Sequence, residues 1–176
     1  WTDRQEINDT VRNLRNHGAA QRYHHSFGFN SRLDDLHAGV LSAKLKHIKQ
    51  WSDRRIEIAR CYTEGLKDID FLDLPYVRPG YRHVFHLYVV ETKDAGERDK
   101  FLNYLVKNGV DAKTHYSIVI HKQEGYPWGK DARISGALTN AEKNAASCIS
   151  MPMFPELTDE EVDIAIQVVH EYAKTR

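Results

Sequence analysis

The sequence predicts an α+β domain, a small sheet with flanking helices and one long helix ahead of it. Three observations predict it. An apolar pattern of helical period runs from Leu33 to Leu66, with no proline before Pro75. Residues 83–91 are dense in β-branched and aromatic side chains, the composition of a buried strand. Two C-terminal helices open on capping-box sequences, Thr139-Asn140-Ala141-Glu142 and Thr158-Asp159-Glu160-Glu161, and residues 149–155 between them read as extended. A chain of 176 residues buries a core without help from disulfides or metals, which become necessary only below about 40 residues.

Taken in order, residues 3–15 read as a polar helix. Ile7, Val11 and Leu14 give it a narrow apolar stripe, Thr2 or Asp3 is its N-cap, and His17-Gly18 stops it. Residues 18–32 have no periodicity but carry Tyr23, His24, His25, Phe27, Phe29, Asn30 and Arg32, a loop composition that predicts a contact. A helix from residue 34 to 67 would be about 50 Å long, straight or kinked near Trp51-Ser52. Such an element bridges two domains or lines a subunit interface. Pro75, Pro79 and Gly80 mark a connector, and the strand of residues 83–91 follows. A helix over residues 95–108 points Phe101, Leu102 and Leu105 inward and ends on Gly109 in the left-handed region. Val110 to Thr114 is a candidate short strand, and residues 115–137 form a long irregular loop of the kind that carries function.

Charge excludes several partners. The 25 basic and 25 acidic side chains cancel, so no net field favours nucleic acid or an anionic membrane. No run approaches the roughly 18 apolar residues of a membrane span. Cys61 and Cys148 match no metal-ligand spacing and read as free thiols of a cytoplasmic protein. The first residues carry no apolar signal segment and no initiator methionine, as expected of a chain that starts inside something larger or was processed.

Two constellations carry chemistry. In Gly28-Phe29-Asn30-Ser31-Arg32-Leu33-Asp34, glycine permits a sharp turn, Asn30 offers a carboxamide donor, and Arg32 offers a forked donor for phosphate or carboxylate. All lie just ahead of a helix N-terminus, where anions are favoured. The plainer reading is a capped helix start with Asp34 or Asn30 as cap. His115-Tyr116, with His121 six residues on, suits a polar ligand or a pair of partly exposed loop histidines. His-x5-His is no zinc pattern, so no metal is expected. His24 and His25 are consecutive and diverge. His83 and His86 would face opposite sides of a strand, one of them packed in the core. No GxSxG, Walker A or GxGxxG sequence is present. Residue types alone leave a soluble α+β domain with two unusual loops.

The ordered set of motifs goes further. Leu14-Arg15-Asn16-His17-Gly18 and Gly28-Phe29-Asn30-Ser31-Arg32-Leu33-Asp34-Asp35-Leu36-His37-Ala38 resemble R-N-H-G and G-x-N-x-R-L-D-E-x-Q-A-A of the DegT/StrS family of nucleotide-sugar aminotransferases. The similarity continues through Trp51-Ser52-Asp53-Arg54-Arg55, Leu74-Pro75, His83-Val84-Phe85-His86-Leu87-Tyr88-Val89, Gly109-Val110, His115-Tyr116, His121, Ala141-Glu142 and Ser150-Met151-Pro152-Met153-Phe154-Pro155.

The resemblance implies a fold-type I transferase dependent on pyridoxal phosphate and active as a homodimer. Residues 1–33 would then close the large-domain region and hold the cofactor-contact loop, and residues 34–176 would form the C-terminal small domain with its linking helix. It implies that Asn30 reaches the cofactor phosphate of the other subunit, with Arg32 bracing the loop or meeting an anionic group. It implies that His115 and Tyr116 approach the sugar of the substrate, with His121 assisting. The reaction implied moves an amino group, from glutamate, to a nucleotide-linked keto-sugar, in the finer form a dTDP-linked 3-keto-6-deoxyhexose. No lysine here matches the context of the family's Schiff-base lysine, so the resemblance implies that this chain alone is inactive. Ser117 stands where the family commonly has proline, and His37 and Gly39 replace glutamine and alanine. A different class stays open: a stand-alone, non-catalytic binding or regulatory module that reuses the small-domain fold.

Overall fold

A computed structural model describes residues 2–20, 23–24, 26–125 and 133–176. Trp1, His25 and residues 126–132 of the long loop lie outside the described residues, as do the side chains of Ala20, Tyr23 and His24. The chain divides into two compact units, Trp1–Ile48 and Lys49–Arg176.

The core of the second unit begins on helix α3 (Ile48–Leu66), which buries Ile58, Ala59, Tyr62 and Leu66 along one face. Strands β3 (Leu72–Asp73), β4 (Tyr88–Thr92) and β5 (Cys148–Met151) form an antiparallel sheet in that order. Leu72 pairs Thr92 and Val90 pairs Ile149. Along β4, Tyr88, Val90 and Thr92 are buried and alternate with half-buried Val89 and Glu91, the period-2 pattern of a strand with one face on the core. All four residues of β5 are buried.

Helix α4 (Arg98–Lys107) is opened by a 3₁₀ turn at Ala95–Glu97, whose start Asp94 caps by accepting from the Gly96 N–H at 2.9 Å. Gly109, at φ +86°, closes it as expected. Phe101 and Leu105 are buried and Leu102 is half-buried. Helix α5 (Thr139–Ser147) runs straight into β5, and α6 (Asp159–Thr175) finishes the chain. Phe71, Phe101 and Tyr172 interlock at centroid distances of 5.2, 4.9 and 5.6 Å, and this cluster joins the β3 end to α4 and α6. Burial pushes the Tyr62 and Tyr88 phenols up.

Several expectations are corrected. The apolar run of residues 34–67 is two helices, α2 (Asp35–Leu45) and α3, and not one. At Lys46-His47 the bonding tightens to i,i+3, the His47 N–H donating to the Lys44 carbonyl at 3.0 Å. No proline or glycine marks that point, and α3 passes through Trp51-Ser52. The strand expected over residues 83–91 starts only at Tyr88, because Arg55 of α3 holds the backbone before it. Its Nη1 donates to the carbonyls of Phe85 at 3.4 Å, His86 at 3.2 Å and Met153 at 2.8 Å, and Phe85 sits at φ +46°. Carbonyls turned to a guanidinium are not free for a ladder, so neither His83 nor His86 is packed in the core. Both are exposed, and Phe85 is buried in their place. The Val110–Thr114 strand reduces to one bridge, Lys113 to Ser150.

The capping box at Thr158 forms with both reciprocal bonds. The one expected at Thr139 does not: α5 has Leu138 at its N-cap with no side-chain cap. In the first unit α1 (Gln5–Leu14) starts two residues later than expected, and the Thr2 hydroxyl accepts from the Arg4 N–H at 3.2 Å. Neither α1 nor α2 contains a buried residue. Cys61 is half-buried, Cys148 is buried, and both are free thiols. Among the described residues no helix is long and apolar enough to cross a membrane.

Truncating the centre of the aromatic cluster, Phe101→Ala, is expected to cost about 3–5 kcal/mol of stability, read from urea unfolding.

Candidate functional site

The two glycine-containing motifs of the first unit are the two sides of one backbone hairpin. Beyond α1, the His17 N–H donates to the Phe29 carbonyl at 2.9 Å, Phe29 returns to Leu14 at 2.6 Å, and Ser31 donates to Arg15 at 2.9 Å. Asn16 and Asn30 are bridge partners. Nearer the tip, β1 (Ala19–Ala20) pairs β2 (Tyr23–His24), with Ala19 opposite His24. His17 at φ +60° and Gly18 at φ +67° bend the first side. The two sides touch backbone to backbone: a Cβ on Gly28 would lie 2.0 Å from the Gly18 nitrogen, and one on Gly18 would lie 1.9 Å from the Ser26 carbonyl oxygen. Glycine at both positions is a steric requirement of the pairing.

This hairpin presents Asn30 and Arg32, both exposed, and neither side chain has a hydrogen-bond or ion partner among the described residues. Phe27 and Phe29 meet edge to face at 5.3 Å, with 80% and 57% of their surface exposed. Asp34 caps α2, its Oδ1 accepting from the His37 N–H at 2.9 Å, and that bond leads the causes that hold its carboxyl below the usual range. Of the two candidate caps, Asp34 is therefore the one used, and Asn30 remains free to donate elsewhere.

His115, Tyr116 and His121 lie in the second unit. The His115 Nδ1 is 2.9 Å from the Ser150 hydroxyl of β5, and the edge of its ring meets Tyr116 at 5.5 Å. Tyr116 is 75% exposed. Lys113 and Ser150 exchange two backbone bonds, of 3.1 and 2.7 Å, which tie the start of the loop to the sheet edge just before His115. His121 falls in a 3₁₀ turn, Ile120–Lys122. Its Nε2 is 2.9 Å from the Glu142 carboxylate of α5, which also takes the Lys122 ammonium at 3.3 Å. The His121 imidazole, followed by Lys122, pulls the Glu142 carboxyl below its ordinary range. Among the described residues no three His, Cys, Asp or Glu side chains cluster as metal ligands.

Ser150 and Glu142 take part in this arrangement without having been singled out for it in the sequence. Both stand within the family motifs, but nothing in a spacing of 35 positions to His115, or 21 to His121, announces a contact. Arg55 is a third such residue, one side chain gathering carbonyls 30, 31 and 98 positions away.

Comparison with known proteins places the chain. The model of the DegT/DnrJ/EryC1/StrS aminotransferase family matches residues 1–170. The dTDP-3-amino-3,4,6-trideoxy-alpha-D-glucose transaminase of Streptomyces venezuelae is 35% identical over 170 residues, 96% of this chain and 44% of that protein. The dTDP-3-amino-3,6-dideoxy-alpha-D-galactopyranose transaminase of Aneurinibacillus thermoaerophilus is 35% identical over 173 residues, 97% of this chain and 45% of that protein. Among solved structures, S. venezuelae DesV in complex with a ketimine intermediate superposes with a TM-score of 0.89 at 34% identity, covering 98% of this chain and 46% of DesV. The chain thus spans less than half the length of these relatives.

Gly28→Ala is expected to open the hairpin, raising amide exchange at His17, Phe29 and Ser31 about tenfold or more while leaving α6 protected. The Glu142 contacts carry a pH dependence of definite sign. A depressed carboxyl stabilises the fold above the ordinary glutamate pKa of roughly 4.3, and that contribution is lost as pH falls through the lower folded-state value. Unfolding midpoints of wild type and Glu142→Gln should therefore differ at pH 7 and approach each other as the solution is acidified through that lowered value.

Proposed function

The chain belongs to the DegT/DnrJ/EryC1/StrS aminotransferase family, and from that membership we propose that the whole protein is a pyridoxal-phosphate-dependent transaminase. It moves an amino group, from glutamate, onto a nucleotide-linked keto-sugar. The names of the two relatives above support the finer form, a dTDP-linked 3-keto-6-deoxyhexose. When bound, pyridoxal phosphate supplies the electron sink that lets an amino group pass between two carbonyl compounds. In this reading the catalytic lysine is outside these residues and the chain by itself is inactive.

The observation that carries the reading is the hairpin. Its backbone pairing holds Asn30 and Arg32 exposed with no side-chain partner among the described residues, an amide donor and a forked cation suited to an anion. That donor set fits a phosphate monoester. Asn30 donates to a cofactor phosphate oxygen, and Arg32 supplies compensating charge or holds the loop. The phosphate belongs to a second subunit. Leu36, Val40, Leu41 and Leu45 of α2, between 51% and 78% exposed, support a homodimer, since apolar surface of this extent marks an interface. His115, Tyr116 and His121 face the sugar: the exposed Tyr116 hydroxyl hydrogen-bonds a substrate hydroxyl, and His115 is held for a similar contact by Ser150. The setting is cytoplasmic.

The complete protein is expected to show the visible absorbance of bound pyridoxal phosphate, and Asn30→Ala to lower cofactor affinity about tenfold or more, matching the loss of a charge-assisted hydrogen bond. Undiminished affinity in that variant would remove Asn30 from the phosphate site. Failure of the complete protein to bind pyridoxal phosphate at all would favour the non-catalytic binding module.

A further inference from the structure

We propose that Glu142 is a positioning residue for His121. Its carboxylate keeps the imidazole proton on Nε2 and leaves Nδ1 as a hydrogen-bond acceptor for a hydroxyl of the keto-sugar. The second half of this statement rests on the transaminase reading; the first half stands on geometry alone. An ionised carboxylate can only accept, so a nitrogen 2.9 Å from it carries the hydrogen. Lys122 lies 3.3 Å from the same oxygen and favours the ionised form. With Nε2 engaged, the neutral ring has Nδ1 as its one acceptor.

Three further observations separate this pair from an ordinary surface contact. The His121 side chain is only 10% exposed, whereas His37, also paired with a carboxylate, is 73% exposed and belongs to a helix cap. The His121 ring is held by packing as well as by the bond. Second, Nδ1 has no partner among the described residues, yet it is not one of the buried polar atoms left unsatisfied. Third, Glu142 stands where a capping box would use it, and α5 begins with no side-chain cap. The carboxylate is committed to the loop instead of to its own helix, a choice that local helix stability does not explain. His115 differs: the Ser150 hydroxyl can donate or accept, so it fixes that ring in place without selecting a tautomer.

The test uses the complete protein with pyridoxal phosphate, comparing wild type, Glu142→Gln and Glu142→Leu. Imidazole 15N resonances, assigned with His121→Asn, report the tautomer directly. Wild type should show a single form with the hydrogen on Nε2. The Gln variant should retain it, because Lys122, a donor beside the same atom, turns the carboxamide oxygen rather than its nitrogen toward Nε2, and the Leu variant should give both tautomers. Transaminase kcat should fall about tenfold in the Leu variant and recover in the Gln variant, with KM for the amino donor within about twofold of wild type. A hydrogen on Nδ1 in wild type overturns the proposal. So does a Leu variant that melts earlier but keeps the tautomer and kcat, since Glu142 would then be a structural tie. A tautomer shift in a protein with no transaminase activity would uphold the positioning and overturn the transaminase reading.

Discussion

Strand β5 is held from both sides, and much of the second unit depends on that. Along one edge Cys148 to Met151 pair with β4, and along the other Ser150 exchanges two backbone bonds with Lys113. The strand is buried over its whole length, so its polar groups must be satisfied within the protein. Satisfying them brings the 113–116 backbone to the sheet edge. The Ser150 hydroxyl then meets His115. The start of the 115–137 loop is thus tied to a core strand by backbone hydrogen bonds. Burial also pushes up the thiol of Cys148, the first residue of that strand.

Side chains from helices fix the remaining irregular backbone. Arg55 gathers three carbonyls from two segments, and Arg54 beside it donates to the Leu157 carbonyl and the Asp159 carboxylate, both at 2.7 Å. A guanidinium suits this role because its donors lie in a rigid plane and it stays charged. Glu142 works similarly from α5 onto the 3₁₀ turn of the loop. The second unit therefore has loops that belong to its core through specific polar contacts, although they have no regular secondary structure of their own.

The first unit is organised on a different principle. It buries no side chain of α1 or α2, and its order comes from backbone pairing around Gly18 and Gly28. Apolar groups such as Phe27, Leu36 and Leu45 remain exposed. A segment built this way displays its side chains outward, which is what contact with an external anion and a neighbouring apolar surface requires.

What the sequence determined by itself was the class of the fold and the family, because these rest on local patterns. Helical periodicity, the Thr158 capping box and the left-handed Gly109 follow from residues within one or two turns of each other. The motifs around Asn30 and His115 were legible as motifs for the same reason. The tertiary structure decided everything that depends on distant partners. The strand before Tyr88 is lost to Arg55, and the carboxylate of the Thr139 box is turned to His121 and Lys122. In both cases a local propensity met a hydrogen bond to a charged group from elsewhere in the chain. Such a contest has no trace in local sequence, and only the folded arrangement shows its outcome.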